Sequence, residues 1–482
     1  MAHKLGRVRE DSLSRHPQVN ELPFEPERQF AATYHQVGDV TEVFVKGALE
    51  KVLPMCDWSN DPDKIGEMQQ LAETMGQKGY RVLALAGGKL ADNIDPAQAP
   101  PEPSSLTFQG FVGMIDPLRS GAREAVSACS DAGVGVFMVT GDHPVTALAI
   151  SRDLSLASEP SEVVTGSELA KMSRAEIEQA VSTARVFARV APHQKLELVN
   201  AARRAGHFVA VTGDGVNDAP ALRAANIGVA MGKSGTDVAR EAAELVISDD
   251  NFSTIIAGVE EGRVAYDNIR KVIYLLISTG AAEVVLVCLA LLAGLPLPLL
   301  AVQLLWLNLV TNGIQDVALA FEPSEGNVLD RAPRQTSERI FNRLMIERTL
   351  VAAIVMGSVG FGVFWWMLQA GWPEATARNS LLLLMVLFEN VHIGNCRSEK
   401  KSALKLSPLR SPILLGGALL AFLLHIGMMF TSLGREVLHV EPVDLTTFAI
   451  LLGLALTVFV AMEIHKWSWA VRERSSNPNI DN

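Results

Sequence analysis

Six long apolar runs dominate the later part of the 482-residue sequence. Each has about the 20 residues that an α-helix needs to cross the hydrocarbon core of a membrane. The runs lie near residues 272–293, 299–321, 347–369, 379–396, 412–433 and 445–465. This pattern predicts an all-α six-helix transmembrane domain over 272–466, with a cytoplasmic stalk over 256–271 before it and a cytoplasmic tail over 467–482 after it.

Basic residues alternate between the connections of these runs. The second connection, the fourth connection and the tail are rich in Lys and Arg, whereas the third and fifth connections have only Arg378 and Arg435 and the first has none. Lys and Arg collect on cytoplasmic loops. The alternation therefore favours a multi-pass protein in the lipid bilayer of the plasma membrane, with both termini cytoplasmic. Buried helices of a large soluble protein would not produce it.

Polar residues inside the apolar runs are the next signal. Glu283 lies in the middle of the first run, and Glu389 lies in the fourth. The second run carries five polar residues at helical offsets that place them on one face: Asn308, Thr311, Asn312, Gln315 and Asp316. Carboxylate and amide oxygens can replace the hydration shell of a hard cation, so Glu283 and this stripe predict a cation site. For Glu389, hydrogen bonding between helices is an equally good explanation.

Between residues 111 and 252, short β-rich runs alternate with helical stretches, which predicts a doubly wound α/β domain. Two of these runs, 135–142 (GVFMVTGD) and 208–218 (FVAVTGDGVND), indicate buried strands that end in Thr-Gly-Asp. Ligands of such sheets bind at the carboxyl ends of the strands. We therefore expect a ligand site where the two Thr-Gly-Asp turns meet.

The second Thr-Gly-Asp turn carries the more specific chemistry. Gly213 and Gly215 let the backbone approach an anion, and Asp214 and Asp218 can hold Mg²⁺ against phosphate oxygens. A Thr-Gly-Asp triplet alone is common at strand ends. The full run Thr212–Leu222 (TGDGVNDAPAL) is far more specific.

The composition of the chain limits the classes of partner that it can bind. The chain has 42 Lys and Arg against 53 Asp and Glu, a net charge of -11. This argues against nucleic acid as a partner, because phosphate-backbone binding requires a concentrated basic surface. The four cysteines have no metal-ligand spacing and favour a reducing compartment. The first 16 residues have no apolar core and do not form a signal peptide.

The run Thr212–Leu222 resembles the hinge motif of the P-type ATPases, the cation pumps that form a phosphoenzyme. Further motifs of that family are D-P-L-R (Asp116–Arg119), M-V-T-G-D (Met138–Asp142), F-A-R-V-A-P-H-Q-K (Phe187–Lys195), D-D-N-F-S-T-I (Asp249–Ile255), E-E-G-R (Glu260–Arg263) and Q-L-L-W-L-N-L-V-T-N-G (Gln303–Gly313). Their order and spacing resemble the branch that contains the calcium pumps and the sodium/potassium pump. The resemblance covers nearly the whole chain from about Leu22 onward.

The resemblance implies that residues 1–110 form part of an α+β nucleotide-binding domain, with ATP as a cofactor. Phe24 matches the aromatic residue that stacks on adenine. Lys46 matches a lysine that lines the ATP pocket, although Leu49 stands where the family usually has proline. Arg81 matches an arginine near the phosphates.

Residues 111–255 resemble part of the family's phosphorylation domain, which has a haloacid-dehalogenase-like α/β fold. Thr140 and Gly141 match groups that hold the phosphoryl oxygens, and Lys195 matches the lysine that offsets their charge. Asp214 matches the Mg²⁺ ligand, which makes Mg²⁺ the second implied cofactor. The other matching residues complete the site or orient neighbouring loops and ATP: Asn217, Asp218, Asp142 and Arg189.

The resemblance also bears on the cation site. Four residues match ion ligands of the calcium pumps: Glu283, Asn308, Thr311 and Glu389. Gly280 stands where those pumps have a ligating Asn, and Asn312 stands where they have an essential Asp, whereas Asp316 adds a carboxylate one turn away. The transported cation stays open between calcium, another divalent ion, a monovalent cation and a proton.

Two motifs of the family do not occur in the 482 residues: D-K-T-G-T, which contains the phosphorylated aspartate, and T-G-E-S of the actuator domain. The resemblance therefore implies a carboxyl-terminal portion with the last six of ten membrane helices. In the family's fold the missing aspartate ends a central strand, whose loss leaves two strand edges unpaired. We expect that these residues alone neither form the phosphoenzyme nor pump, and that an amino-terminal half carrying D-K-T-G-T is a partner.

Three functions compete on this basis. The first is ATP-driven cation transport through an aspartyl-phosphate intermediate, as part of a P-type ATPase. The second is a non-catalytic membrane module that binds nucleotide and cation, or a regulatory partner of an intact pump. The third, a phosphatase fused to a membrane anchor, requires its own nucleophilic Asp near the start of the α/β domain, where the sequence has none. A split-gene half, a truncated product and an expression fragment all fit the sequence.

Overall fold

The structure is a computed structural model that describes residues 8–59, 61, 63–90, 94, 98–114, 118–335 and 338–476. Asp116 and Pro117 of the D-P-L-R motif, and the part of the predicted tail beyond residue 476, lie outside the described residues. The chain divides into two compact units, one formed by residues up to 256 and the other by residues from 257 onward.

A five-stranded antiparallel sheet forms the first part of the first unit. Its strands, in spatial as well as chain order, are β1 (Gln18–Leu22), β2 (Phe30–Val37), β3 (Val40–Gly47), β4 (Arg81–Leu90) and β5 (Thr107–Met114). Its helices are α1 (Arg9–Arg15), α2 (Leu49–Val52) and α3 (Lys64–Gln77). Side chains along β3 alternate between faces, so Val43 and Val45 are buried together against Tyr34.

Strand β5 runs across the boundary predicted at residue 110. Its pairing with β4 continues from Thr107 to Met114. The whole strand therefore belongs to the five-stranded sheet, and the change from antiparallel to parallel structure comes after Met114.

The second part of the first unit alternates parallel strands with helices, as the sequence predicts, but it has two sheets where one was predicted. One sheet has the order β6–β8–β7 and the other has the order β11–β10–β9. The strands are β6 (Met138–Val139), β7 (Val163–Thr165), β8 (Val186–Ala188), β9 (Ala210–Gly213), β10 (Ile227–Met231) and β11 (Leu245–Ile247). The helices are α4 (Ala122–Asp131), α5 (Pro144–Asp153), α6 (Gly166–Leu169), α7 (Arg174–Thr183), α8 (Pro192–Arg204), α9 (Ala219–Ala224) and α10 (Asp237–Ala242).

The two predicted buried strands are short end strands of these sheets. Among the described residues, β6 pairs only with β8, and β9 pairs only with β10. Phe137 and Phe208, which directly precede β6 and β9, are 39% and 63% exposed. The prediction that both strands are buried is therefore wrong, because a strand with one neighbour leaves its other edge and the adjoining apolar side chains uncovered.

Helix α8 joins the two parallel sheets. Its Leu198 belongs to the same apolar cluster as Phe187 of β8, with Val139 of β6 packed against that cluster. The next residue, Val199, packs in a separate cluster with Val211 of β9. One helix therefore supports both end strands and the turns that follow them.

The second unit is helical. Helix α11 (Ser253–Leu292) leads into it from the first unit and continues through the predicted stalk without a break. The remaining helices are α12 (Ala301–Leu305), α13 (Asn312–Ala320), α14 (Arg343–Gln369), α15 (Glu374–Cys396), α16 (Pro412–Met429) and α17 (Leu445–Ser476). A π-helical segment, Trp306–Thr311, connects α12 to α13.

Four of these helices, α11, α14, α16 and α17, are long and apolar enough to span a membrane within the described residues. The predicted run 299–321 is interrupted by its π-helical segment. Helix α15 has sufficient length, but it carries several polar residues and is buried by its neighbours along most of its length. Six helical segments thus occupy the predicted positions, although six separate membrane crossings stay a prediction.

Close packing of α14 on α11 depends on Gly357. A Cβ atom at this position would lie 2.7 Å from Val285 Cβ and 2.8 Å from the Ala282 carbonyl oxygen. We predict that Gly357→Ala destabilises the helical unit by about 1–3 kcal/mol through overpacking, measured as a lower thermal midpoint in detergent.

Gly362→Ala is the matched control, because a Cβ atom at Gly362 of the same helix meets nothing within 4 Å. Equal midpoints for the two variants would contradict the proposed role of Gly357.

Candidate nucleotide pocket and cation site

A cavity of about 560 Å³ lies between the five-stranded sheet and the carboxyl ends of β6 and β8. Its volume is typical of small-molecule sites. Eight of the eleven residues predicted for the soluble site line it: Phe24, Arg81, Thr140, Gly141, Asp142, Arg189, Lys195 and Asn217. The fold thus brings together residues that are more than 190 positions apart in the sequence.

The other three predicted residues lie elsewhere. Lys46 lines a second cavity of about 320 Å³ on the face of the five-stranded sheet, together with Phe44. Asp214 and Asp218 follow β9 and are not part of the wall of the larger cavity. Lys46, which the resemblance predicts to line the ATP pocket, is therefore not part of the wall of the larger cavity.

The turn after β6 is held by its own side chains. The Thr140 amide donates to the Phe187 carbonyl oxygen at 2.9 Å. Thr140 Oγ1 donates to Asp142 Oδ2 at 3.2 Å and accepts from the Asp142 amide at 3.1 Å. Arg81 Nε of β4 reaches Asp142 Oδ1 at 3.3 Å. The turn therefore ties the parallel sheet to the antiparallel one.

Lys195 and Asp218 form the tightest charged pair near the cavity. Lys195 Nζ lies 2.7 Å from Asp218 Oδ1, and the Gly215 amide donates to Asp218 Oδ2 at 3.1 Å. A Cβ atom on Gly213 would come within 2.6 Å of Asp218 Cβ. Glycine at position 213 is therefore required for Asp218 to turn back against the strand and meet Lys195.

Asp214 is more open. Its Oδ2 accepts from Arg119 Nη2 at 3.4 Å, and half of the Asp214 side chain is exposed. The Arg119 guanidinium also donates to Ser234 Oγ at 3.3 Å. Asp250 holds the same loop by accepting from the amides of Lys233 and Ser234 at 2.9 and 2.7 Å. The hydrogen bond from the Lys233 amide is the main reason why the pKa of Asp250 falls to about 2.

The donor set fits the two cofactors that the resemblance implies. Asp218 has both carboxylate oxygens engaged, whereas Asp214 has one long contact to Arg119 and is exposed. Mg²⁺ takes one or two carboxylates and keeps several waters, so Asp214 is the better placed ligand. Phe24, which is 61% exposed in the cavity wall, presents a ring on which a purine can stack.

Two groups were missed by the sequence reasoning, one in the cavity wall and one just behind it. Glu50 is the second residue of α2. Its two carboxylate oxygens accept hydrogen bonds from Arg189 Nη2, at 3.1 and 3.2 Å. His143 Nε2 lies 3.2 Å from Glu50 Oε1. Both residues adjoin motif positions that the resemblance singles out, namely Lys46 and Asp142, and this proximity was the available signal. Arg119 lay within a recognised motif but had no assigned role.

The residues predicted for the cation site lie in the second unit. Asn308 Nδ2 donates to both carboxylate oxygens of Glu283, at 3.0 and 2.9 Å. A hydrogen bond of 2.5 Å joins Thr311 Oγ1 and Glu389 Oε2. Asn312 Nδ2 donates to Thr279 Oγ1 at 3.0 Å. These pairs bring the predicted ligands of three helical segments into neighbouring contacts.

The π-helical segment changes the geometry that the sequence predicts for this stripe. A π-helical turn takes one residue more than an α-helical turn, so the stripe does not stay on one face. Asn308 and Asn312 turn to α11, whereas Thr311 turns to α15. The regular α-helix is interrupted before Gly313, at the π-helical segment Trp306–Thr311.

Several oxygen atoms in this region are buried without a hydrogen-bond partner among the described residues. They belong to Asn312 (Oδ1), Gln315 (Oε1) and Asp316 (Oδ1). No three His, Cys, Asp or Glu side chains in the described ranges are grouped closely enough to hold a metal ion by themselves. A cation here would therefore need amide and hydroxyl oxygens in addition to carboxylates.

The ion pair of Glu50 with Arg189 and its hydrogen bond from His143 make the stability of the first unit depend on pH. The hydrogen bond from His143 is the largest of the effects that lower the pKa of Glu50 from 4.5 to about 2, and Arg189 adds to it. A depressed pKa gives stability that is complete above about pH 4.5 and is lost as the pH falls towards about 2. We predict that Glu50→Gln lowers the thermal midpoint at pH 7 and that the difference from wild type shrinks below about pH 4.5.

The control is Glu73→Gln, which removes an exposed carboxylate from α3. A Glu50→Gln deficit that stays constant between pH 7 and about pH 3 would contradict this role for the carboxylate.

Two family models match parts of the chain. Residues 1–121 match the family model described as P-type ATPase, cytoplasmic domain N, and residues 296–468 match the model described as cation transporting ATPase, C-terminus. The chain is 38% identical over 475 residues to the probable cation-transporting ATPase F of Mycobacterium tuberculosis, covering 96% of this chain and 52% of that protein.

Two further relatives carry calcium in their names. The calcium-transporting ATPase type 2C member 2 of Mus musculus is 34% identical, with 97% of this chain and 49% of that protein covered. The calcium-transporting ATPase of Bacillus subtilis is 33% identical, with coverages of 94% and 52%. The chain thus spans about half the length of the curated relatives it matches. On these matches, and on the motifs around its cavity, the chain belongs to the P-type cation-transporting ATPase family.

Proposed function

We propose that this chain supplies the ATP-handling groups and the cation pathway of an ATP-driven cation pump that works through an aspartyl-phosphate intermediate. The observation that carries the proposal is the single cavity lined by Phe24, Arg81, Thr140 and Lys195. An aromatic ring at one side and cations with a hydroxyl at the other suit a nucleotide, whose base is apolar and whose phosphates are anionic. Phosphoryl transfer depends mainly on such positioning and charge neutralisation.

Each group has a role that its position supports. Phe24 stacks on the adenine, and Arg81 and Arg189 face the phosphates. Thr140 and the Gly141 backbone hold phosphoryl oxygens, and Lys195 offsets their charge. When bound, ATP supplies the phosphoryl group and Mg²⁺ offsets the negative charge of its oxygens, with Asp214 as the protein ligand and Asn217 and Asp218 beside it.

The acceptor of the phosphoryl group comes from outside these 482 residues, because they contain no D-K-T-G-T. The end strands β6 and β9 support an amino-terminal half of the pump as the partner. Each has one pairing edge without a strand among the described residues, and each leads into a Thr-Gly-Asp turn. A parallel strand that pairs there would deliver its carboxyl end, and an aspartate on it, to the phosphate-binding turns.

In the second unit, we assign cation binding to Glu283, Asn308, Thr311, Asn312, Asp316 and Glu389. The carboxylate–amide and carboxylate–hydroxyl pairs support this assignment, and so do the calcium and cation transporters among the relatives. A multi-pass protein of the plasma membrane with cytoplasmic termini agrees with the four long apolar helices and the alternating basic connections.

The nucleophile proposal has a direct test. We predict that the purified 482-residue chain with radiolabelled ATP forms no acid-stable, hydroxylamine-sensitive acyl phosphate. Co-expression with a segment carrying D-K-T-G-T should restore the label on that segment. Asp214→Asn in the co-expressed assembly should lower labelling roughly 100-fold, because it weakens the hold on the Mg²⁺ that offsets the negative charge of the transferring group.

Asp131→Asn, an exposed aspartate at the end of α4, is the control and should label normally. An acyl phosphate on the isolated chain would overturn the proposal. Nucleotide and cation binding with no labelling in any assembly would favour the non-catalytic module instead.

The cation site is tested in the same assembly. Glu283→Gln should raise the concentration of cation needed for half-maximal ATPase stimulation at least about tenfold, since a lost metal ligand or its support costs 10–100-fold in affinity. Stimulation is measured with Ca²⁺, Mn²⁺, Na⁺ and K⁺ in turn. Glu436→Gln, an exposed carboxylate outside the predicted ligand set, should change nothing, and identical curves for both variants would exclude Glu283 as a ligand.

A further inference from the structure

Glu50 lies behind the wall of the nucleotide cavity. It is not among the residues that line the cavity, whereas both of its partners, His143 and Arg189, do line it. Glu50 belongs to α2, next to the five-stranded sheet, and its partners belong to the parallel-sheet part of the unit. This carboxylate therefore connects the two walls of the cavity from outside.

The orientation of His143 is fixed at both ring nitrogens. The Val145 amide donates to His143 Nδ1 at 3.3 Å where α5 begins. Because Nδ1 accepts, the ring proton lies on Nε2, and Nε2 faces Glu50 Oε1 at 3.2 Å. The imidazole thus donates to the carboxylate and is held as one side of the cavity wall.

Arg189 is anchored separately at its backbone and at its side chain. Its backbone φ is 55°, in the left-handed region that a residue with a Cβ rarely adopts. The amide of Arg189 donates to the Asp142 carbonyl oxygen at 3.0 Å, which anchors the backbone but not the long side chain. Both carboxylate oxygens of Glu50 accept from Arg189 Nη2, leaving the other guanidinium N–H groups to face a ligand.

We infer that Glu50 is a positioning residue for nucleotide phosphates, acting through Arg189 and His143. The inference rests on the proposed nucleotide site. Holding Arg189 in place before binding removes the entropy that an unrestrained arginine would lose, which for one side chain corresponds to roughly threefold to tenfold in affinity. The ligand class is a nucleoside polyphosphate, because a guanidinium suits phosphate oxygens and the same cavity wall carries the exposed ring of Phe24.

The test measures the dissociation constants of ATP and of adenosine for the full 482-residue chain in detergent. Glu50→Gln should weaken ATP binding roughly threefold to tenfold and leave adenosine binding unchanged. Glu73→Gln, the exposed carboxylate on α3, should alter neither. A role confined to folding would weaken both ligands, and simple repulsion between Glu50 and phosphate would make Glu50→Gln bind ATP more tightly; either result overturns the inference.

A double-mutant cycle keeps the inference falsifiable if Glu50→Gln folds poorly. When Arg189→Ala is already present, Glu50→Gln should add little further loss of ATP affinity, because the residue through which it acts is gone. Additive losses would overturn the positioning role alone. Failure of wild type and every variant to bind ATP would overturn the proposed nucleotide site itself, so the two failures are distinguishable.

Discussion

Backbone hydrogen bonding at the open edges of β6 and β9 is the constraint on which the chemistry of this chain depends. Both strands lead directly into the Thr-Gly-Asp turns, so the groups proposed to hold phosphate are continuations of end strands. Helix α8 supports both sheets through Leu198 and Val199, but a helix cannot satisfy strand-edge amides and carbonyls. A strand edge without a neighbour presents a row of amides and carbonyls that can pair with another strand. A further parallel strand would join the two sheets and order the turns.

Charge pairing inside the cavity follows from the same arrangement. Each of its three cations already has a carboxylate partner: Arg81 has Asp142, Arg189 has Glu50, and Lys195 has Asp218. These pairs leave the cavity nearly neutral without a ligand. A bound phosphate therefore has to share these cations with carboxylates. The geometry of each ion pair decides which N–H groups of the cation stay accessible to the phosphate. In the second unit, Glu283 and Glu389 accept hydrogen bonds from an amide group and a hydroxyl group instead of pairing with cations.

The motifs predicted most of the residues that line the cavity, but not the contacts that hold those residues in place. The family resemblance groups Thr140, Asp142 and Lys195 in one site, and all three line the cavity. The resemblance predicts two unpaired strand edges, but the apolar pattern alone does not identify β6 and β9 as the end strands with Phe137 and Phe208 exposed beside them. An apolar run has the same pattern in a central strand and in an end strand. Glu50 and His143 are ordinary polar residues in the sequence, and only the packing of α2 against the β6 and β8 turns gives them a role. The π-helical turn before Asn312 could not be predicted either, because the spacing of the polar stripe fits a regular α-helix equally well.

Amide hydrogen exchange at the two end strands tests the central claim most directly. The exchange rates of Met138–Val139 and Ala210–Gly213 would be measured in the full chain alone and in complex with an amino-terminal segment that carries D-K-T-G-T. The account predicts that both strands exchange markedly more slowly in the complex, while β10, which already has neighbours on both sides, changes little. Unchanged exchange at β6 and β9 in a complex that is shown to form would contradict it.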